Sequence, residues 1–359
     1  MANNHTYERE ESTRGRRDTS KAMAIRQPTL RTPTIQLLPP PAIYDAAVVM
    51  GVEKANMPWW KTFYLGVLAG FYLSFGGCLA YTIGGQVPGI KQSDPGAQKL
   101  LYGAFGLPFG LALIIICGGE LYTGNAAFLP AAVFEGRATW LQLLKNWFFS
   151  FFGNLAGSLF IVWIVDETLL FQSGMPAGVA NAIMVAKSKT AASFGTTVVR
   201  GLLCNWLVTL GIWQATAAQD IIGKIFGVYF PVLAFVAIGF DHVIANMFLV
   251  PFGMKVGAPV SVGTYIVKSM IPVFIGNTIA AMFFVAGSYA FMYGTAAPRC
   301  SALIWGAGQM AHLPGFKNGA KQQADVDDKA NGSYHSTAGS IPEGQAMDFR
   351  TDSAAAARV

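Results

Sequence analysis

Six stretches of the chain are long, apolar and free of formal charge, and they constrain its fold more than any other feature. Thr62–Ile90, Leu100–Gly119, Asn146–Val165, Gly201–Gln219, Ile225–Phe240 and Ser269–Pro298 contain no Asp, Glu, Lys or Arg. About 20 apolar residues suffice to cross a bilayer as a helix. Six such runs in a water-soluble chain would leave too little polar surface to cover the core. The pattern predicts an all-α integral membrane protein with six transmembrane helices, near 61–86, 100–134, 141–165, 197–219, 224–253 and 262–292. The second and fifth are broken, by Glu120 and by Asp241-His242.

Charge follows the same division. Only 12% of the 359 residues are charged, half of the roughly 25% usual in soluble domains. Residues 1–56 carry 14 charges and residues 299–359 carry 12, while the 242 residues between carry 18. This gives four parts: a polar N-terminal tail with a short pre-membrane helix (1–56), two three-helix units (57–165 and 166–298), and a polar C-terminal tail (299–359) whose composition reads as disordered. An even number of spans puts both termini on one side. Arg9, Arg14, Arg16, Arg17, Lys21, Arg26 and Arg31 favour the cytoplasmic side for them, whereas Lys91, Lys99, Lys187, Lys189 and Lys255 would lie opposite.

Several function classes drop out. The net charge of +6 is too mild to signal nucleic acid. There is no phosphate-binding Gly-x-x-x-x-Gly-Lys-Ser/Thr loop, no His/Cys cluster for a metal and no Ser/His/Asp constellation. An enzyme, a cofactor and a catalytic residue are therefore not expected. Cys78, Cys117, Cys204 and Cys300 read as small hydrophobes. The first 40 residues lack the apolar core of a secretory signal. Their Arg, Ser and Thr content suits an organelle transit peptide but Glu8, Glu10, Glu11 and Asp18 do not, so plasma membrane and chloroplast envelope both stay open.

The two halves echo each other. Glu120-Leu-Tyr-Thr-Gly-Asn125 is matched by Asp241-His-Val-Ile-Ala-Asn246, each breaking the second span of its half. Lys145 stands nine residues before Asn154, and Lys268 nine before Asn277; Gly153 and Gly276 precede those asparagines. Three spans per half is an odd number, so the halves must be inverted relative to each other, with a site expected near mid-membrane at the breaks. A broken helix cannot face lipid, because its free N–H and C=O groups need partners. Gly118, Gly119 and Gly239 supply the flexibility, and each following half-helix offers its positive end to an anion.

His242 is the one histidine within the apolar centre. An ionisable group inside a membrane segment points to function: it can donate a hydrogen bond to an anion, or a proton. Glu120 and Asp241 are expected to anchor the loops by accepting their N–H groups. Asn125, Asn154, Asn205, Asn246 and Asn277 are expected to cap broken helices or join neighbouring ones, with Asn277 facing the His242 site. From spacing alone, Lys187 and Lys189 are solvated loop lysines.

Gly118–Asn125, Lys145-Asn-Trp147 with Phe152-Gly-Asn154, Arg200–Val208, Gly239–Phe248 and Ile271–Thr278 together resemble the formate/nitrite transporter family, and most closely its algal nitrite/bicarbonate branch. The resemblance runs from about Pro39 to Gly294. It implies an aquaporin-like fold and a homopentamer with a pore in every protomer. It implies that the Thr123 loop and His242 face each other at the pore centre, with Asn277 near His242. It also implies two apolar constrictions: an inner one of Leu111 and Phe235 with Leu107 beside them, and an outer one including Leu121 and Tyr122. Lys189 matches a family lysine near the outer mouth, where it would attract anions. Asp241 stands where many members carry Glu, and Leu107 where bacterial formate channels often carry Phe.

The expected function is passage of a small monovalent anion through the bilayer, nitrite first, with formate and bicarbonate as alternatives. An apolar constriction penalises a bare charge, so the anion would cross as its neutral acid, linked to a proton through His242. In the competing version His242 only donates a hydrogen bond. The reading from a different class is a neutral-solute channel for water or ammonia, which needs neither Lys189 nor a central histidine.

Overall fold

Helix starts in this chain are written locally by capping residues. Thr139 accepts the Gln142 N–H while the Gln142 side chain returns to the Thr139 N–H, a reciprocal capping box. Ser193, Asp220 and Ser261 accept N–H groups in the same way at three further starts. The computed structural model describes residues 37–295. Residues 1–36 and 296–359, with Cys300 and the other three histidines, lie outside the described residues.

The described chain is helical, with a single isolated bridge between Leu37 and Ala218 as its only strand-like pairing. The helices are α1 (Pro40–Asn56), α2 (Trp59–Ile83), α3 (Pro88–Ser93), α4 (Pro95–Ala104), α5 (Leu107–Cys117), α6 (Tyr122–Phe134), α7 (Trp140–Glu167), α8 (Leu170–Gly174), α9 (Pro176–Lys189), α10 (Phe194–Ala217), α11 (Ile221–Ile238), α12 (Val243–Lys255) and α13 (Val262–Tyr293). Six units are long and apolar enough to cross a membrane: α2, α4 with α5, α7, α10, α11 and α13. They run from 18 to 32 residues, around the roughly 20 a bilayer requires. α13 contains two wider i→i+5 stretches, Ile266–Met270 and Ala280–Gly287, on either side of the turn that carries Asn277.

The packing repeats. α1 lies on α6 as α9 lies on α12, α2 on α7 as α10 on α13, and α2 on α5 as α10 on α11. In both halves glycine lets helix backbones touch. A Cβ on Gly153 would lie 2.4 Å from the Phe63 carbonyl oxygen, and one on Gly276 2.1 Å from that of Val198. Close approach of this kind is how helices associate where lipid removes the hydrophobic drive. It also brings Asn154 and Asn277, one residue further on, within reach of the opposing backbone.

The breaks fall where the sequence places them. α5 ends at Gly118 with φ 80°, and α11 at Gly239 with φ 97°, left-handed values that disfavour a side chain. In each, one carbonyl of the last turn accepts two successive N–H groups: Ile114 from Gly118 and Gly119, Phe235 from Gly239 and Phe240.

Candidate functional site

Each break is held by the same set of bonds. The Glu120 N–H reaches the Leu65 carbonyl and the Asp241 N–H that of Arg200. Asn154 accepts the Tyr122 N–H at 3.0 Å and donates to the carbonyls of Gly66 and Glu120. Asn277 accepts the Val243 N–H at 2.9 Å and donates to those of Gly201 and Asp241. Asn205 adds a strut between the halves, donating to the carbonyls of Thr123 and Asn277.

The acidic residues work differently from expectation. Glu120 and Asp241 take side-chain partners, not the loop N–H groups. Glu120 accepts from Lys54 and from Asn125 Nδ2 at 2.7 Å. Asp241 pairs with Lys189 at 2.9 Å, and Asn246 Nδ2 lies 3.4 Å away. The loop N–H groups are already satisfied by the asparagines and by carbonyls, so the carboxylates are left to balance a lysine each. Lys189 also donates to the Phe240 carbonyl at 2.8 Å. It is therefore not the free loop cation that spacing alone suggests.

Two more expectations change. Asn277 is fully buried, and both ends of its amide bind backbone, so it anchors the second break and lines neither cavity described below. The half-helix starts are also less open to an anion than the breaks imply. The first-turn N–H groups of Tyr122, Gly124 and Asn125 go to Asn154 and to the Leu121 carbonyl. Those of Val243, Ala245 and Asn246 go to Asn277, His242 Nδ1 and the His242 carbonyl.

Lys54 is a residue that sequence reasoning missed. It lies in the last turn of α1 as Lys189 does in that of α9, and each lies five residues before the first residue of the next long helix, Trp59 or Phe194. That spacing was the available signal, hidden because Lys54 falls in the charged N-terminal stretch. The echo of Lys145 and Lys268 is positional only. Lys145 donates to the Ala55 and Met57 carbonyls, whereas Lys268 is exposed.

His242 caps α12: its Nδ1 accepts the Ala245 N–H at 3.1 Å. A ring nitrogen that accepts carries no proton, so the ring's hydrogen sits on Nε2. That atom lies 2.9 Å from Thr123 Oγ1, across from the first break. The residues that carry the two breaks thus meet through a side-chain hydrogen bond, with His242 only 3% exposed. The ring of Phe235 lies along it at 5.9 Å between centroids.

Two cavities border this histidine. The larger, about 340 Å³, is walled by Lys91, Lys99, Asn181, Lys189, Leu107 and Phe235 among others, and reaches His242. Its walls run from exposed Lys99 to buried Leu107, so it is a vestibule leading inward. The smaller, about 10 Å³, is bounded by Leu73, Leu107, Leu111, Leu121, Val232, Phe235 and other apolar groups, with His242 its one ionisable side chain. It holds about one water. Leu107 and Phe235 belong to both walls and separate the two spaces.

This reverses one placement. Lys189 opens on the vestibule that ends at Leu107 and Phe235, so these two lie on the Lys189 side, not at the opposite end from it. Leu121 lies beyond them, in the small cavity. Tyr122 lines neither space. Its ring is enclosed by Trp147, Phe151 and Phe274, and its hydroxyl binds Thr278 Oγ1 at 2.6 Å, because position 122 is the first residue of α6 and turns into the bundle.

Six helices long and apolar enough to cross a membrane, two helix breaks held by equivalent bonds and a buried polar pair beside two cavities define a membrane transport protein. The family profile for the formate/nitrite transporter matches residues 41–291. The chain is 38% identical over 255 residues to the "Probable formate transporter" of Methanothermobacter thermautotrophicus, covering 67% of this chain and 91% of that one. It is 34% identical over 280 residues to the "Formate channel FocA" of Escherichia coli K12, covering 72% and 95%. Among solved structures it is similar to a "Pentameric formate channel with formate bound", with a TM-score of 0.58 at 30% identity, covering 66% of this chain and 97% of that one. The chain belongs to the formate/nitrite transporter family and is an integral membrane protein.

Proposed function

We propose that the protein carries a small monovalent anion across the membrane, nitrite first, with formate and bicarbonate as the other candidates. The observation that carries this reading is the His242–Thr123 pair. It places an N–H donor between a lysine-bordered vestibule and a space with otherwise apolar walls. Lys91 and Lys99 raise the local anion concentration, while Lys189, matched by Asp241, borders the same space. Leu107 and Phe235 then set a barrier that a bare charge crosses at high cost, so a weak acid passes best in neutral form.

The hydrogen bonds favour one version of the proton linkage. Nδ1 is engaged by the Ala245 N–H, so His242 carries one ring hydrogen, on Nε2. It can donate that hydrogen bond as it stands. To give up a proton and remain neutral, the ring must first gain one at Nδ1 and release the start of α12. We therefore assign His242 and Thr123 to holding the anion, with the proton arriving through water from the vestibule. Glu120, Asp241, Asn125, Asn246 and Asn277 keep the breaks in place, and Leu107, Leu111, Phe235 and Leu121 keep the passage apolar. The resemblance to a pentameric channel supports assembly as a homopentamer.

The test is nitrite uptake by proteoliposomes across imposed pH gradients. Asparagine can imitate both roles of His242, since it caps helices well and donates an N–H. The expected result is that His242→Asn keeps saturable, pH-driven uptake while His242→Leu loses it. If His242→Asn moved nitrite without any response to pH, the histidine would be the proton donor. If wild type moved water or ammonia but no anion, the neutral-solute reading would replace this one.

A further inference from the structure

We propose that the vestibule contains an anion-binding site of its own, centred on Asn181 and bordered by Lys91, Lys99 and Lys189, which takes a small oxyanion such as nitrite or a carboxylate before it reaches His242. The proposal deepens the anion-transport reading and rests on it.

Asn181 lies in the middle of α9 and lines the vestibule. It is only 5% exposed, and its Nδ2 has no hydrogen-bond partner among the described residues. A buried amide donor without a partner is costly and rare. By contrast, the asparagines that the sequence singles out all use Nδ2 on protein: Asn125, Asn154, Asn205, Asn246 and Asn277 donate to named groups. Asn181 shares one face of α9 with Met184, Val185 and Ser188, at spacings of three, four and seven, and all of them border the same space.

The charge around it has one sign. Lys91 and Lys99 come from the opposite wall, and no Asp or Glu lines the cavity. Among the described residues neither lysine is in an ion pair; Lys91 Nζ rests against the Met184 sulfur, a weak acceptor. Lys189 is matched by Asp241, so Lys91 and Lys99 supply the uncompensated charge. The volume of about 340 Å³ is roughly ten times the share of one water in the liquid, so an anion enters with much of its hydration. It gives up part of it to Asn181 before the narrow point at Leu107 and Phe235.

The experiment is initial nitrite uptake by proteoliposomes of the full-length protein as a function of external nitrite. Asn181→Leu is expected to raise the half-saturating concentration on the order of tenfold, about the effect of one hydrogen bond to a charged group, and far more than it lowers the maximal rate. The pair Lys91→Gln/Lys99→Gln, whose one side-chain contact among the described residues is Lys91 Nζ on the Met184 sulfur, is expected to raise it less, with the effect shrinking as salt screens the charges. Saturation of folded Asn181→Leu at the wild-type concentration overturns the site while leaving anion transport standing. Should Asn181→Leu not fold, an unchanged half-saturating concentration in the lysine pair at low salt overturns it. Absence of nitrite uptake by wild type instead removes the transport reading, and this site with it.

Discussion

Asn154 and Asn277 perform the same task in opposite halves: each amide accepts the first N–H of a half-helix and donates to the carbonyls of a neighbouring helix and of the break itself. Truncating Asn277 to alanine strands the Val243 N–H and the carbonyls of Gly201 and Asp241. Leaving a buried group unpaired costs about 1–3 kcal/mol. Asn277→Ala is therefore expected to lower the thermal unfolding temperature of detergent-solubilised protein, and Asn154→Ala to do so by a similar amount. A large loss for Asn277→Ala with none for Asn154→Ala would break the equivalence of the two halves.

Asp241 is buried beside Lys189. Removing one partner of a buried pair leaves an uncompensated charge, at about 3–5 kcal/mol. Lys189→Ala should destabilise strongly, and Lys189→Ala/Asp241→Asn should recover most of the loss. A double-mutant cycle by thermal unfolding measures the coupling. The Lys54 and Glu120 pair should behave alike, and additive losses in either pair would contradict the arrangement.

Phe235 is shared by the two cavities. Phe235→Ala should merge them, speeding nitrite uptake and admitting larger monocarboxylates such as acetate. The truncation also removes packing worth about 3–5 kcal/mol, so lower stability should accompany faster flux. Uptake assays with both anions check this, and an unchanged nitrite-to-acetate ratio would place the barrier elsewhere.

Asp45, on the pre-membrane helix α1, tests the packing of that helix. Asp45 is itself exposed, yet partial desolvation by the surrounding protein holds its carboxyl above the ordinary 3.8; Glu135 adds to the effect and Arg137 opposes it. A carboxyl with a raised folded pKa binds its proton more tightly in the native state. Its contribution is favourable at low pH and is lost as pH rises from 3.8 through the folded value. Asp45→Asn should thus unfold at a higher temperature than wild type at neutral pH, with the advantage disappearing toward pH 3.8. Equal unfolding temperatures at every pH would show that neither the partial desolvation nor Glu135 acts on this carboxyl.

Much of the design was legible in the chain. The uncharged runs named the six spans, the intruding Glu120 and Asp241-His242 named the breaks, and the recurring Gly-Asn after each break foretold Asn154 and Asn277. These follow from local rules, since the bilayer dictates segment length and every polar group placed within it must find a partner.

Which partner each group finds depends on distances between segments far apart in sequence, and those only the folded bundle decides. Lys54 meets Glu120 across 66 positions, and His242 meets Thr123 across 119. The repeat put Asn277 facing the His242 site, and the family resemblance put Tyr122 in a constriction; packing turned the one onto the backbone and the other into an aromatic cluster. It left Asn181, unremarkable in sequence, in the vestibule wall with a donor that has no partner among the described residues. Composition and periodicity determined that this chain crosses a membrane six times with two broken helices. Tertiary contact determined which of its few polar side chains hold those breaks and which face the cavities, because close packing satisfies some polar groups completely and leaves others open.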